Sequence, residues 1–110
     1  MDRFTLPELL KAQQIGDTLY HEFLRVPALS GGLYVLDAGS VDPQSPHGED
    51  EVYVVMEGRG QMTVGGEAQP VGPGTVVYVA AGMDHRFLNI EQRLVVLVFF
   101  APAEGSLGER

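Results

Sequence analysis

The sequence contains no cysteine. A disulfide framework, a thiolate zinc site and a cysteine nucleophile are therefore ruled out, and the absence is in keeping with a reducing cytosol. Basic residues are scarce: seven Lys and Arg stand against fifteen Asp and Glu, a net charge of −8. A phosphate backbone needs a basic partner surface, so this balance speaks against nucleic acid, and against an anionic membrane surface for the same reason. Long apolar runs are missing too. The longest, Leu94 to Ala101, is far too short to span a bilayer. Met1-Asp2-Arg3-Phe4 lacks the basic-then-apolar layout of a signal peptide. No internal repeat, low-complexity stretch or block of like charge is visible. The expectation is a soluble, cytoplasmic protein that binds neither nucleic acid nor membrane.

What is present fits one domain over residues 1–110. Hydrophobic residues make up 45% of the chain, so an apolar core is available. A chain of this length buries roughly two thirds of its unfolded surface, enough to fold alone without a wide margin. A homodimer is expected on that ground.

Thr5 to Gln14 reads as a short helix. Thr5 with Glu8 forms a capping box, Pro7 sits in the tolerant first turn, and Gly16 ends the segment. Leu6, Leu9 and Leu10 give it one apolar side. From Asp17 onward the pattern turns to strands. Leu19 to Leu24, Leu33 to Leu36, Val52 to Met56, Gln61 to Val64, Thr75 to Val79 and Leu94 to Phe100 are short β-branched or aromatic runs. Turn signals lie between them at Ser30-Gly31-Gly32, Gly58-Arg59-Gly60, Gly65-Gly66, Gly72-Pro73-Gly74 and Ala81-Gly82. Short strands between regularly spaced glycines indicate an all-β antiparallel sandwich or barrel. Residues 101–110 are polar and contain Gly and Pro, which suggests a loose tail.

Three residues stand out for their chemistry. His47 and Glu51 flank a turn leading into the strand Val52 to Met56, and His85 opens another strand. Imidazole and carboxylate together are ligands for divalent Fe, Mn, Ni or Zn. Two His and one carboxylate on a rigid scaffold leave coordination positions open for water or substrate. On spacing alone, Glu49-Asp50-Glu51 reads equally well as a solvated acidic turn. Strand alternation sets Glu51, Tyr53 and Val55 on one face, and by the same logic His85, Phe87 and Asn89 share the inner face. Tyr53, Phe87 and Asn89 are therefore candidate pocket residues. His21 reads as a cross-strand residue, and Arg25 and Arg86 as solvated groups. In Leu94 to Phe100 both faces are apolar, which indicates a strand covered on both sides by sheet packing or by a second copy.

The stretch Gly39 to Gly58 resembles the first motif of the cupins, G-x5-H-x-H-x3-E-x6-G, with Gly39, His47, Glu51 and Gly58 in place. Gly74 to Asn89 resembles the second, G-x5-P-x-G-x2-H-x3-N, with Gly74, Gly82, His85 and Asn89 in place and Ala80 where the family has proline. The resemblance implies a double-stranded β-helix, or jelly roll, with motif 1 at 39–58 and motif 2 at 74–89. It also implies one divalent metal ion on His47, Glu51 and His85. Ser45 stands where the family has its first histidine, so the implied four-ligand set is depleted. The amide oxygen of Gln44, or a water, would fill the gap. Two functions follow as expectations. One is a metalloenzyme acting on a small molecule, such as a non-haem Fe(II) dioxygenase, isomerase or decarboxylase. The other is a non-catalytic module that binds or senses a small ligand around a structural metal. Asp84, beside His85, is the nearest further carboxylate, but on a strand it would face away.

Overall fold

A strand buries every second residue, and the apolar runs of this chain are long enough to make two such layers. The computed structural model describes residues 1–107. Its elements run α1 (Leu6–Gly16), β1 (Tyr20–Val26), β2 (Leu29–Leu36), β3 (Asp50–Val64), β4 (Glu67–Val71), β5 (Val76–Val79) and β6 (His85–Ala101). All pairings are antiparallel, in the order β1-β2-β6-β3-β4, with β5 also on β3. The all-β architecture with one short N-terminal helix is as expected.

Strands β3 and β6 pair along nearly their whole length, and their register slips three times between Val55 and Gln61. Gly58 sits at that point with φ +92°, where a Cβ would lie 2.1 Å from the Arg93 carbonyl oxygen. Irregularities of this kind bend a strand pair. The bend shows in one distance. His85 pairs with Val64, yet its Nε2 lies 3.4 Å from Glu51 at the far end of β3. The thirteen steps from Glu51 to Val64 would span about 43 Å in a straight strand, so the sheet has folded back on itself.

The inner core of this curled sheet includes Tyr34, Leu36, Tyr53, Val55, Met62, Phe87, Leu94, Val96, Val98 and Phe100. A smaller outer core joins Leu9 of α1 to Leu33, Val35 and Val95. The second apolar face of β6 is thus covered in part by this chain's own helix.

Several expectations change. Ser30-Gly31-Gly32 is no turn but lies inside β2, because Gly32 leaves room for the Tyr20 ring, whose Cζ would be 2.1 Å from a Cβ there. Gly58-Arg59-Gly60 bends one continuous strand instead of separating two. The helix runs through Gly16 and is capped by Asp17 in the left-handed region. The turn at Gly65-Gly66 is as expected, but strand β4 beyond it was not foreseen, because its residues are mostly polar. The segment after β6 is not loose up to residue 107. The Glu49 carboxylate accepts from the backbone N–H groups of Gly105 and Leu107, Ser30 Oγ accepts from Glu104 N, and Arg25 donates to the Glu104 carbonyl. The rest of the expected tail, 108–110, lies outside the described residues.

Candidate functional site

Alternation in β3 turns Glu51, Tyr53 and Val55 inward, and β6 does the same with His85 and Phe87; all five are buried. The Phe87 ring meets Tyr53 edge-on at 5.3 Å. Asn89 does not join them. Its φ of +49° interrupts the alternation, which resumes at Ile90. Asn89 is exposed and donates to Gln61 Oε1, so it is no part of a pocket.

The loop before β3 is organised by Asp42, which sequence reasoning missed. Its buried carboxylate accepts from Tyr34 Oη, Gln44 N, Gln44 Nε2 and Phe87 N. The bond to the N–H two residues on is a turn that Asp favours, and Asp42-Pro43 was the available signal. Gln44 is thereby swung inward, and its amide oxygen meets the Tyr53 hydroxyl. That hydroxyl also lies 2.6 Å from Glu51 Oε2. One phenolic proton cannot serve two acceptors. Tyr53 therefore donates to only one of the two oxygens at a time. Burial holds the Glu51 carboxyl above the ordinary carboxylate range.

His85 Nδ1 lies 2.9 Å from the Met83 carbonyl oxygen and donates to it. Its Nε2 is buried without a hydrogen-bond partner, 3.4 Å from Glu51 Oε1. His47 stands apart from this pair. Its ring lies edge-on to Phe100 at 5.1 Å, and its Nδ1 faces Glu104 Oε2 at 3.8 Å. Two of the three expected metal ligands therefore face each other, and the third does not join them. Gln44, the candidate fourth ligand, has its oxygen on Tyr53, and Ser45 is exposed. Among the described residues no group of three His, Asp or Glu is placed to hold a metal ion. As arranged, these residues do not make a complete metal centre. The acidic run 49–51 is not a solvated turn, since Glu49 and Glu51 are buried and only Asp50 is exposed.

A cavity of about 140 Å³ opens beside this cluster, lined by Tyr20, Tyr34, Gln44, His47, Phe100 and Glu104 among others. The Tyr20 hydroxyl at its wall is buried without a partner. Desolvation, then the nearby Glu104, pushes its ionisation well upward, so the phenol stays neutral. Partial burial raises the Glu104 carboxyl as well, against the opposing effect of His47. Among the described residues no lysine or arginine lines the cavity. Glu104 comes from the segment read as loose, and nothing local in the sequence marks it. Its place depends on the long-range bonds to Arg25 and Ser30.

The chain belongs to the cupin family: the family's Cupin domain matches residues 32–100. An uncharacterized protein of Streptomyces coelicolor is 49% identical over 104 residues, which cover 94% of this chain and 99% of that protein. Among solved structures, KdgF from Halomonas sp. aligns with a TM-score of 0.69 at 21% identity over 76% of each chain. An RmlC-like cupin from Shewanella frigidimarina gives 0.68 at 20%, covering 76% of this chain and 75% of its own. An RmlC-like cupin family protein with a double-stranded β-helix fold from Methanocaldococcus jannaschii gives 0.68 at 19%, covering 76% and 78%. At such identities the likeness is one of fold, and the fold is the expected jelly roll. Among the described residues no helix is long and apolar enough to cross a membrane.

Proposed function

We propose that this cupin is a binding protein for a small organic molecule, held in the cavity between Tyr20, Gln44, His47 and Glu104. One observation carries the reading: the cavity has polar groups at its wall, including the unpartnered Tyr20 hydroxyl, next to apolar ring faces. Small-molecule sites combine a mostly apolar lining with a few placed polar groups in this way. The volume equals the liquid volume of roughly five waters, which sets the size class of the occupant. The test is ligand-observed NMR with a panel of small amines, polyols, carboxylates and alcohols. At least one class is expected to bind the protein and to be lost in Phe100→Trp, which fills the cavity. A panel without a single binder at millimolar concentration contradicts the reading.

A second reading is favoured by the buried, unpartnered Nε2 of His85 opposite Glu51. Such a lone pair suits a divalent ion, with Glu51, His85, His47 and Gln44 as the donors the family motif implies. Fe, Mn, Ni and Zn all accept these donors. A dioxygenase or other metalloenzyme is its finer form, and a metal-supported sensing module the alternative. Elemental analysis of the purified protein, then titration with each metal, decides it. Near one ion per chain, lost in His85→Ala, supports the metal, and failure to take up any of the four sinks it.

A further inference from the structure

Three aromatic rings stand around the cavity at steep mutual angles. Tyr20 and Tyr34 have centroids 6.3 Å apart at 66°, and Tyr20 and Phe100 are 6.4 Å apart at 85°. His47 adds a fourth ring against Phe100. Tyr20, Tyr34 and Phe100 all line the cavity, and an aromatic ring face attracts a cation. Among the described residues the cavity also has one carboxylate in its lining, Glu104, and no lysine or arginine. The nearest guanidinium, Arg25, bonds Glu22 and the Glu104 carbonyl, which leaves the Glu104 carboxylate unpaired by it. His47 Nδ1 faces that carboxylate at 3.8 Å. A carboxylate or phosphate ligand would meet Glu104 with no fixed positive charge in the lining to offset it.

Resting on the ligand-pocket reading above, we propose that the occupant is a small organic ammonium cation, boxed by Tyr20, Tyr34 and Phe100 and paired with Glu104. The segment carrying Glu104 is built for that placement. Its own N–H and carbonyl are bonded by Ser30 and Arg25, and the buried Glu49 carboxylate accepts from the N–H groups of Gly105 and Leu107. Glu104 is thus the specificity-determining residue, and Glu49 positions it.

The test compares choline with 3,3-dimethylbutan-1-ol, which has the same shape with carbon in place of the charged nitrogen. Isothermal titration calorimetry is run on the wild-type chain and on Glu104→Gln. Wild type is expected to prefer choline about tenfold or more, the ratio that cation–π contact and a paired carboxylate together supply. Glu104→Gln is expected to abolish most of that preference while the neutral alcohol binds as before, which also shows that the pocket survives the substitution. Glu49→Gln is expected to weaken choline binding more than alcohol binding, through misplacement of Glu104. Equal binding of the two probes by wild type overturns the ammonium proposal and leaves the pocket reading standing. Binding of neither overturns the ammonium proposal as well, and the wider panel then judges the pocket separately.

Discussion

The two faces of β6 carry similar residues and do different work. On the outer face, Val95 and Leu97 pack under α1 with Leu9, Leu33 and Val35 in an apolar cluster. On the inner face, Val96, Val98 and Phe100 share their space with Asp42, Glu51, His85 and two tyrosine hydroxyls. The outer cluster is covered in part by a helix from the same chain, with an apolar hollow left along Leu6, Phe23, Leu97 and Phe99. The inner one is closed only in part, and its opening is the cavity. Burying carboxylates and an imidazole costs free energy unless each is bonded, and the one left unbonded here is His85 Nε2. The comparison teaches that the outer core secures the fold, whereas the inner core gives up stability to place polar groups around a site.

The largest effect expected to sharpen this contrast is that of Asp42→Ala. It leaves the Phe87 N–H, the Tyr34 hydroxyl and both Gln44 donors without their acceptor. Unsatisfied buried donors cost about 1–3 kcal/mol each, so a loss of about 3 kcal/mol or more is expected in urea unfolding, together with loss of ligand binding. Next comes Leu33→Ala in the outer core, where the side chain is fully buried. A loss of about 2–4 kcal/mol is expected, with ligand affinity changed less than twofold. A large change in affinity would break the division between the two faces.

Glu51→Gln is expected to have a smaller effect, and one that depends on pH. Burial raises the Glu51 carboxyl, so the folded chain keeps a proton that the unfolded chain releases near pH 4.3. Its contribution to stability is fully present below that pH and is lost as pH rises through the higher folded value. Thermal melts of the wild type should therefore lose stability more steeply than those of Glu51→Gln as pH rises above the ordinary carboxylate range; parallel profiles would contradict a raised carboxyl. The smallest effect is Thr5→Ala, which removes the helix cap whose oxygen accepts from Glu8 N. A loss of about 1 kcal/mol is expected, with no change at the inner site.

Period-two alternation made the inward set Glu51, Tyr53, Val55, His85 and Phe87 readable, and the cap at Thr5 was a local signal. The family's motif spacing located His47. What stayed hidden depends on distant contacts. Gly32 reads as a turn residue until the Tyr20 ring is seen to lie over it. Asn89 looked inward because nothing in its neighbours announces a positive φ. Asp42 is tied to the site by its bond to Phe87, 45 residues away, and Glu104 by a segment whose anchors Ser30 and Glu49 lie 74 and 56 or more residues upstream. The separation of His47 from Glu51 and His85 is likewise set by its packing against Phe100 and Glu104, which spacing does not encode.

The most direct test of the account is chemical-shift mapping by heteronuclear NMR with choline added to the assigned protein. The account expects saturable shifts at Tyr20, Tyr34, His47 and Glu104, with the outer cluster of Leu9, Leu33 and Val95 unmoved. Shifts confined to the outer apolar face, or an inner site silent to every small molecule, would contradict it.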